Sequence, residues 1–266
     1  MTKICKNDFH VHSHYSPCAD KDNSYPNQIL KYAEKTFMKT IGFTDHFAEY
    51  PPYATPKWAN SGPEIITALR KEIECLSSPV RVLIGCEADV IAGNTLSISP
   101  EYAKELDYVV VSASHFHLPG IPKPVSGNIL STALHFINTM QTALNFDFVS
   151  TIVHPFKTLG DILGPIEEYM SMIPDRELYL VAEMAYKQKI AMEINSILAR
   201  DPAYLYSIKR FLQICREVGV RFTYGSDAHR YMDVGYCIGM EDVFNYLELD
   251  QKQFLKADEL ISRKWQ

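Results

Sequence analysis

Seven short stretches of the chain carry imidazoles or carboxylates of the kind that hold divalent cations. They are Asp8-Phe9-His10-Val11-His12, Thr44-Asp45-His46, Glu87, His115, His154, Glu193 with Asn195, and Asp227-Ala228-His229. Mixed donors of this type suit Zn, Mn or Fe, and two or three such ions a few ångströms apart can clamp both the attacking and the leaving oxygen of a hydrolysis. The expected nucleophile is then water, as a metal-bridging hydroxide, with no call on Ser or Cys. Gly225-Ser226-Asp227 accordingly lacks the Gly-x-Ser-x-Gly frame of a nucleophile elbow. A lone His-x-His or Asp-x-His is weak, since motif matches are only hypotheses. Seven sites with no Lys or Arg among them are hard to explain as a solvated rim, because without cations so many such groups would repel or titrate at large cost.

One residue from each stretch (10, 46, 87, 115, 154, 193, 227) recurs at intervals of 28 to 41 residues, about one strand-plus-helix unit. Runs rich in β-branched and aromatic residues predict strands at 3–9, 40–43, 80–85, 107–111, 148–153, 189–194 and 221–224. Helical spacing of apolar residues predicts helices at 26–37, 63–76, 129–144, 177–187 and 204–218. That alternation yields a parallel sheet, and no linker divides it. The expected fold is therefore α/β, a single-domain (β/α)7 TIM-like barrel, with an open sheet as the rival. In a barrel every candidate follows its strand and converges at the carboxyl end, where active sites of this architecture sit. His10 and His12 share a face through the period-two alternation of a strand.

The 266 residues are 47% hydrophobic and 22% charged, the composition of a globular protein with a large core. Lys and Arg number 26 against 32 Asp and Glu, a net charge of −6 that argues against binding long nucleic acids. No apolar run reaches the roughly 20 residues of a bilayer span, so no membrane partner is expected. Six irregularly spaced Cys and no signal-like amino terminus point to reduced thiols and a cytoplasmic location.

The motifs His10-x-His12, Thr44-Asp45-His46, Gly85-x-Glu87, Ser114-His115, His154-Pro155, Glu193-Ile194-Asn195 and Ser226-Asp227-Ala228-His229 together resemble the PHP family, named for polymerase and histidinol phosphatase. The resemblance runs from 8 to 229 within a domain of 1–266, with 240–266 completing or capping the barrel. It implies a distorted seven-stranded barrel and three divalent metal ions hydrolysing phosphoesters. It implies that His10, His12, Glu87 and Asp227 hold one ion, that Glu87 bridges to a second held by His115 and His154, and that His46 and His229 hold the third. Asp227 and His229 are also the candidate catalytic residues. For the remaining third-site ligand, family members often have His or Asp eight positions after the first His. This chain has Cys18 there and Asp20 two further on. Asp20 is expected, as a carboxylate for a hard ion, with Cys18 on zinc as the alternative. Glu193 is expected beside the ions rather than on one.

A phosphatase needs cations for the non-bridging oxygens, and Arg is preferred. Arg200 lies where histidinol-phosphatase relatives carry a phosphate-binding Arg, although Ile197 and Leu198 replace their intervening Gly; the bland reading is an exposed helix-start Arg. Arg230, Lys157 and His117 are further substrate candidates, each with a surface role as its alternative. The aromatic, Pro-rich loop 50–58 fits a lid or substrate wall, or simply a cover over the barrel end. His14 is expected to face solvent and His135 to pack in a helix. Asp8 and Asp45 either orient neighbouring imidazoles or lie outside.

The leading expectation is hydrolysis of the phosphate monoester of a small metabolite, with histidinol phosphate the best single guess. The alternative is a nucleotide phosphatase, phosphodiesterase or nuclease of the same family. An amidohydrolase-like deaminase or lactonase also begins on His-x-His but uses a Lys or Glu after its fourth strand. A non-catalytic scaffold would leave buried carboxylates and imidazoles without use. The sequence leaves the oligomeric state open.

Overall fold

The computed structural model describes residues 3–49, 61–125, 127–157 and 164–262. Among the described residues there are eight strands: β1 (Asn7–Val11), β2 (Thr40–Phe43), β3 (Arg81–Ile91), β4 (Thr95–Leu96), β5 (Tyr108–Ser112), β6 (Thr151–Val153), β7 (Ala191–Asn195) and β8 (Phe222–Gly225). All but β4 pair in parallel in the order β1-β2-β3-β5-β6-β7-β8; β4 is a short antiparallel addition to β3. The helices are α1 (Pro26–Lys35), α2 (Pro63–Glu74), α3 (Pro100–Ala103), α4 (Ile129–Leu144), α5 (Ile166–Met172), α6 (Asp175–Gln188), α7 (Pro202–Val218), α8 (Met240–Tyr246) and α9 (Ala257–Ser262). Local chemistry starts and stops them. Asn128 and Asp201 cap α4 and α7 through Ser131 N–H and Tyr204 N–H, Pro202 opens α7, and Gly219 ends it in the left-handed region.

The seven parallel strands form a nearly closed barrel. Between β1 and β8 no continuous ladder forms, and closure falls to a few bonds. His12 N–H donates to Ala228 O at 2.9 Å and Asp227 N–H to His10 O at 2.8 Å. The buried Asp8 carboxylate accepts from Ser226 N–H at 2.9 Å and Gly235 N–H at 2.8 Å. Burial pushes the Asp8 carboxyl up to about 6 despite these donors.

Alternate residues of each strand point inward. On β3 these are Leu83, Gly85, Glu87 and Asp89, whereas Cys86, Ala88 and Val90 join the apolar layer under the helices. A register shift between Asp8 and Val11 lets both Phe9 and His10 belong to the interior. Gly42 and Gly85 make room for Tyr108, whose ring a Cβ at either position would strike; its hydroxyl donates to Phe9 O at 2.8 Å.

The strand boundaries differ from expectation chiefly at β1 and β3. A 3-10 turn, Ile4–Lys6, occupies three of the seven residues of the expected first strand. The third strand runs six residues past its expected end, so Glu87 stands within it, as Glu193 stands within β7, rather than after a strand. Loop 50–58 lies outside the described residues. Among the described residues no helix is long and apolar enough to cross a membrane.

Candidate metal centre

Glu87 is the hub of the barrel's carboxyl end. Its Oε2 lies 3.2 Å from His46 Nδ1, 3.5 Å from His12 Nε2 and 3.6 Å from His10 Nε2. Its Oε1 lies 3.0 Å from His154 Nε2 and 3.6 Å from His115 Nε2. Asp227 Oδ1 sits 3.1 Å from His12 Nε2 and 3.5 Å from His10 Nε2. Glu87, His10 and His12 are each about 1% exposed. Several triplets bring their donor atoms within 4.8 Å of one another: His10, His12 and Asp227; His10, Glu87 and His154; His12, His46 and Glu87; His46, Asp89 and His115; and His12, Cys18 and His229.

The ring nitrogens not facing Glu87 are mostly held from behind. His10 Nδ1 lies 2.8 Å from Glu193 Oε1 and His115 Nδ1 lies 2.8 Å from Asp89 Oδ1. His12 Nδ1 meets Ser16 Oγ at 3.0 Å, His154 Nδ1 meets Ser114 Oγ at 3.3 Å, and His229 Nδ1–H donates to Asp227 O at 2.8 Å. Such partners fix the tautomer and turn the Nε2 lone pair toward the centre. Glu193 also accepts from His154 N–H at 2.7 Å, which ties β7 to the end of β6. A Cβ at Gly225 would come within 2.6 Å of His10 Cβ and collide with the Glu193 carboxylate, so only glycine fits there. His154 and Asp227 themselves have positive φ, 29° and 54°, conformations that need support from surrounding structure.

The electrostatics are those of a cation site. Burial opposes charge on Glu87, yet the imidazoles of His46, His115 and His10 hold its carboxyl well below the usual range. Burial likewise opposes charge on Asp227, but His10, His12 and His229 pull its carboxyl down. His115 is driven the other way: burial lowers it, while Glu87 and Asp89 raise it to about 9. His46 is held well below its ordinary value by burial above all. Imidazole and carboxylate donors converging in a buried space, with the outer ring nitrogens backed by acceptors, fit divalent cations.

Above Glu87 opens a cavity of about 440 Å³. His117, Leu118, Lys157, Asn195, Ile197 and Arg200 are among the residues of its wall. Arg200 follows the 3-10 turn Ser196–Ala199, donates to Ser196 Oγ at 3.0 Å and lies 4.7 Å above the Tyr236 ring. Lys157 Nζ is 2.5 Å from Asp201 Oδ2. Burial, then His115, lowers the His117 imidazole to about 4, and its buried Nδ1 has no hydrogen-bond partner among the described residues.

Not every expected residue joins this assembly. Asp20 accepts from Asp22 N–H at 3.0 Å, Asn23 N–H at 3.2 Å and Asn23 Nδ2 at 3.0 Å, so its carboxylate serves its own loop. Arg230 is exposed, paired with Asp233 at 2.9 Å, and lies off the cavity wall. Asp45 receives both the N–H and the hydroxyl of Ser13, at 2.7 and 2.6 Å, rather than an imidazole. His14 stacks between Tyr15 and Tyr25 and meets Glu72 at 2.9 Å, more enclosed than expected. His135 packs on Phe116 from α4 and meets Pro122 O. Asp89 was not anticipated. The spacing Glu87-x-Asp89 in a strand places both carboxylates on one face and was the available signal.

The comparisons with known proteins agree with this geometry. A protein of Caldicellulosiruptor bescii named a probable phosphatase is 25% identical over 228 residues, covering 85% of this chain and 82% of that protein. The DNA polymerase/3'-5' exonuclease PolX of Bacillus subtilis is 28% identical over 232 residues, 84% of this chain but 34% of that protein. Among solved structures, HisK of Listeria monocytogenes aligns with a TM-score of 0.66 at 16% identity, covering 86% of this chain and 97% of that one. Histidinol phosphate phosphatase of Lactococcus lactis, complexed with Zn, L-histidinol and phosphate, aligns with a TM-score of 0.58 at 16% identity over 91% and 94% of the two chains. At that identity the two structures speak for the fold. The PHP domain model matches residues 8–205, most of the barrel and all but the last of the ligand-bearing strand ends, and the chain therefore belongs to the PHP domain family.

Proposed function

We propose that this PHP-domain enzyme, a metal-dependent phosphoesterase, hydrolyses the phosphate monoester of a small metabolite at a centre of three divalent ions, with histidinol phosphate or a close analogue as substrate. The observation that carries the reading is the convergence of five imidazoles on the two oxygens of the buried Glu87, at the floor of a cavity of about 440 Å³. His10, His12, Glu87 and Asp227 would hold one ion, Glu87, His115 and His154 a second, and His46 with His229 part of a third. Bound there, Zn, Mn or Fe ions supply Lewis acidity and water that is deprotonated near neutral pH.

The chain's own residues do the rest. Glu193, Asp89, Ser16 and Ser114 keep imidazole rings turned toward the centre. Arg200 presents a guanidinium to the phosphate oxygens and Lys157 a second positive charge, though Asp201 already shares the latter. Asp227 and His229, which line the cavity beyond β8, would orient the attacking water. His117, on the cavity wall and uncharged at neutral pH, would hydrogen-bond the leaving alcohol. Leu118 and Ile197 keep that part of the wall apolar. The likeness of both probable phosphatases and PolX to this chain leaves a nucleotide phosphatase or phosphodiesterase as the second reading.

A panel of phosphate monoesters and diesters, assayed with Mn or Zn, separates the two. Phosphate release from histidinol phosphate or another small monoester is the expected result. Cleavage confined to nucleotide diesters would overturn it.

A further inference from the structure

The segment between β1 and α1 turns back across the mouth of the centre, with Ser16 N–H bonded to Ser13 O at 2.9 Å and Ala19 N–H to Ser16 O at 3.2 Å. Asp20 N–H then donates to His229 O at 3.0 Å, which ties this turn directly to the chain beyond β8. The tie sends the two candidate ligands of the turn to different places. The Asp20 carboxylate is taken up by three donors of Asp22 and Asn23. Cys18 instead lines the cavity, and its Sγ lies within 4.8 Å of the ligand nitrogens of His12 and His229. His12 turns its Nε2 to Asp227 at 3.1 Å, on the side of the first ion, whereas His229 has Nδ1 engaged by Asp227 O and so keeps the Nε2 lone pair to offer beside Cys18. The other four donor triplets among the described residues contain only nitrogen and oxygen; this one alone contains sulfur.

We propose that Cys18 supplies a thiolate to the third ion site, beside His46 and His229, and that this site selects zinc while the nitrogen and oxygen sites accept harder ions such as manganese. The proposal rests on the metal-dependent reading above and gives its third site a chemical identity. Thiolate is a soft ligand favoured by zinc, whereas manganese and magnesium favour carboxylate, carbonyl and water. Zinc accepts mixed thiolate and imidazole donors, and its catalytic sites keep one position open. The protein would then carry a mixed metal complement, with zinc in the site nearest the β1–α1 turn, and manganese added in excess would replace the other ions first.

Cobalt(II) exchange tests this without relying on turnover. The metal-stripped protein, its Cys75→Ser variant and its Cys18→Ser variant are loaded with Co(II), and absorption spectra are recorded alongside total metal analysis. Cys75 is exposed and serves as the control thiol. The expected result is a thiolate-to-cobalt charge-transfer band in the near ultraviolet for the wild type and Cys75→Ser, absent from Cys18→Ser. Metal analysis of Cys18→Ser purified with zinc should show one equivalent fewer. Cys18→Asp should restore that equivalent with the zinc-over-manganese preference reduced by about tenfold or more. A wild-type protein that takes up Co(II) without a thiolate band overturns the proposal and leaves the metal-dependent reading standing. Persistence of the band in Cys18→Ser also overturns it, and failure to bind Co(II) at all overturns both. Should Cys18→Ser not fold, the wild-type spectrum and the Cys18→Asp preference still decide the matter.

Discussion

The two ends of the barrel interior are lined by the same strands under the same alternation, and they are filled in opposite ways. Toward the amino end, Leu83, Tyr108 and Ala191 meet Leu255, Ala257 and Leu260 from the carboxyl-terminal segment, an apolar cluster with Phe9, Val110 and Val153. Leu255 N–H donates to Phe222 O at 2.8 Å, which fastens that segment to the start of β8. Toward the carboxyl end the next inward positions are His10, Glu87, Asp89 and Glu193, all buried and all polar. Apolar packing at one end supplies stability; at the other, burial of ionisable groups is a cost that only mutual pairing or bound cations offset. The lower half therefore acts as the platform on which an otherwise unfavourable upper half is held in place.

The sharpest way to break this contrast is Asp227→Asn, which removes a charge from the upper end and keeps its shape. Activity toward a phosphate monoester should fall by roughly a thousandfold, the upper range for deleting one charge-stabilising group, with circular dichroism unchanged. A variant retaining full turnover would refute the role given to Asp227. At the lower end the effects should invert. Leu260→Ala leaves a cavity in the plug and should lower unfolding free energy by about 2–5 kcal/mol in denaturant titration, with turnover per folded molecule preserved. A loss of turnover without a loss of stability would mean that the two ends are not separable.

A subtler test lies at the seam. The Asp8 carboxyl is raised by burial from 3.8 to about 6, so between these values the folded state binds more protons than the unfolded chain. Its contribution is fully present below pH 4 and is lost as pH rises through 6, by on the order of 2–3 kcal/mol. Asp8→Asn should lack that slope, so the difference between the two stability profiles, measured with ions chelated, should change between pH 4 and 6. Parallel profiles for the two proteins would show that Asp8 is not the titrating group.

Much of the upper end was legible from residue type alone. Imidazole and carboxylate recurring once per strand-plus-helix unit locate the strands and the site together, because both follow from one repeating architecture. What escaped notice was what one residue cannot announce. Asp89 sits in an apolar run whose alternation was cut short at 85, so its place beside His115 was lost with the strand end. The register shift in β1 involves neither Gly nor Pro, and nothing local marks it. Asp20 has the better chemistry for a hard ion, but its carboxylate is taken up by Asp22 and Asn23, in a loop tied by Asp20 N–H to His229 O, a contact between residues 209 positions apart. Arg230 was drawn off by Asp233 three residues later, an ordinary surface pair.

The seam between β1 and β8 also sets when the centre can exist. His12 and Asp227 stand 215 residues apart, and the bonds joining their strands are the last to become possible as the chain emerges during synthesis. A nascent chain that has produced six of its parallel strands already carries Glu87, His115 and His154, yet lacks Asp227 and His229 on the facing side. A centre of this layout can be complete only after the strand that carries Asp227 and His229 has been made and has closed against β1.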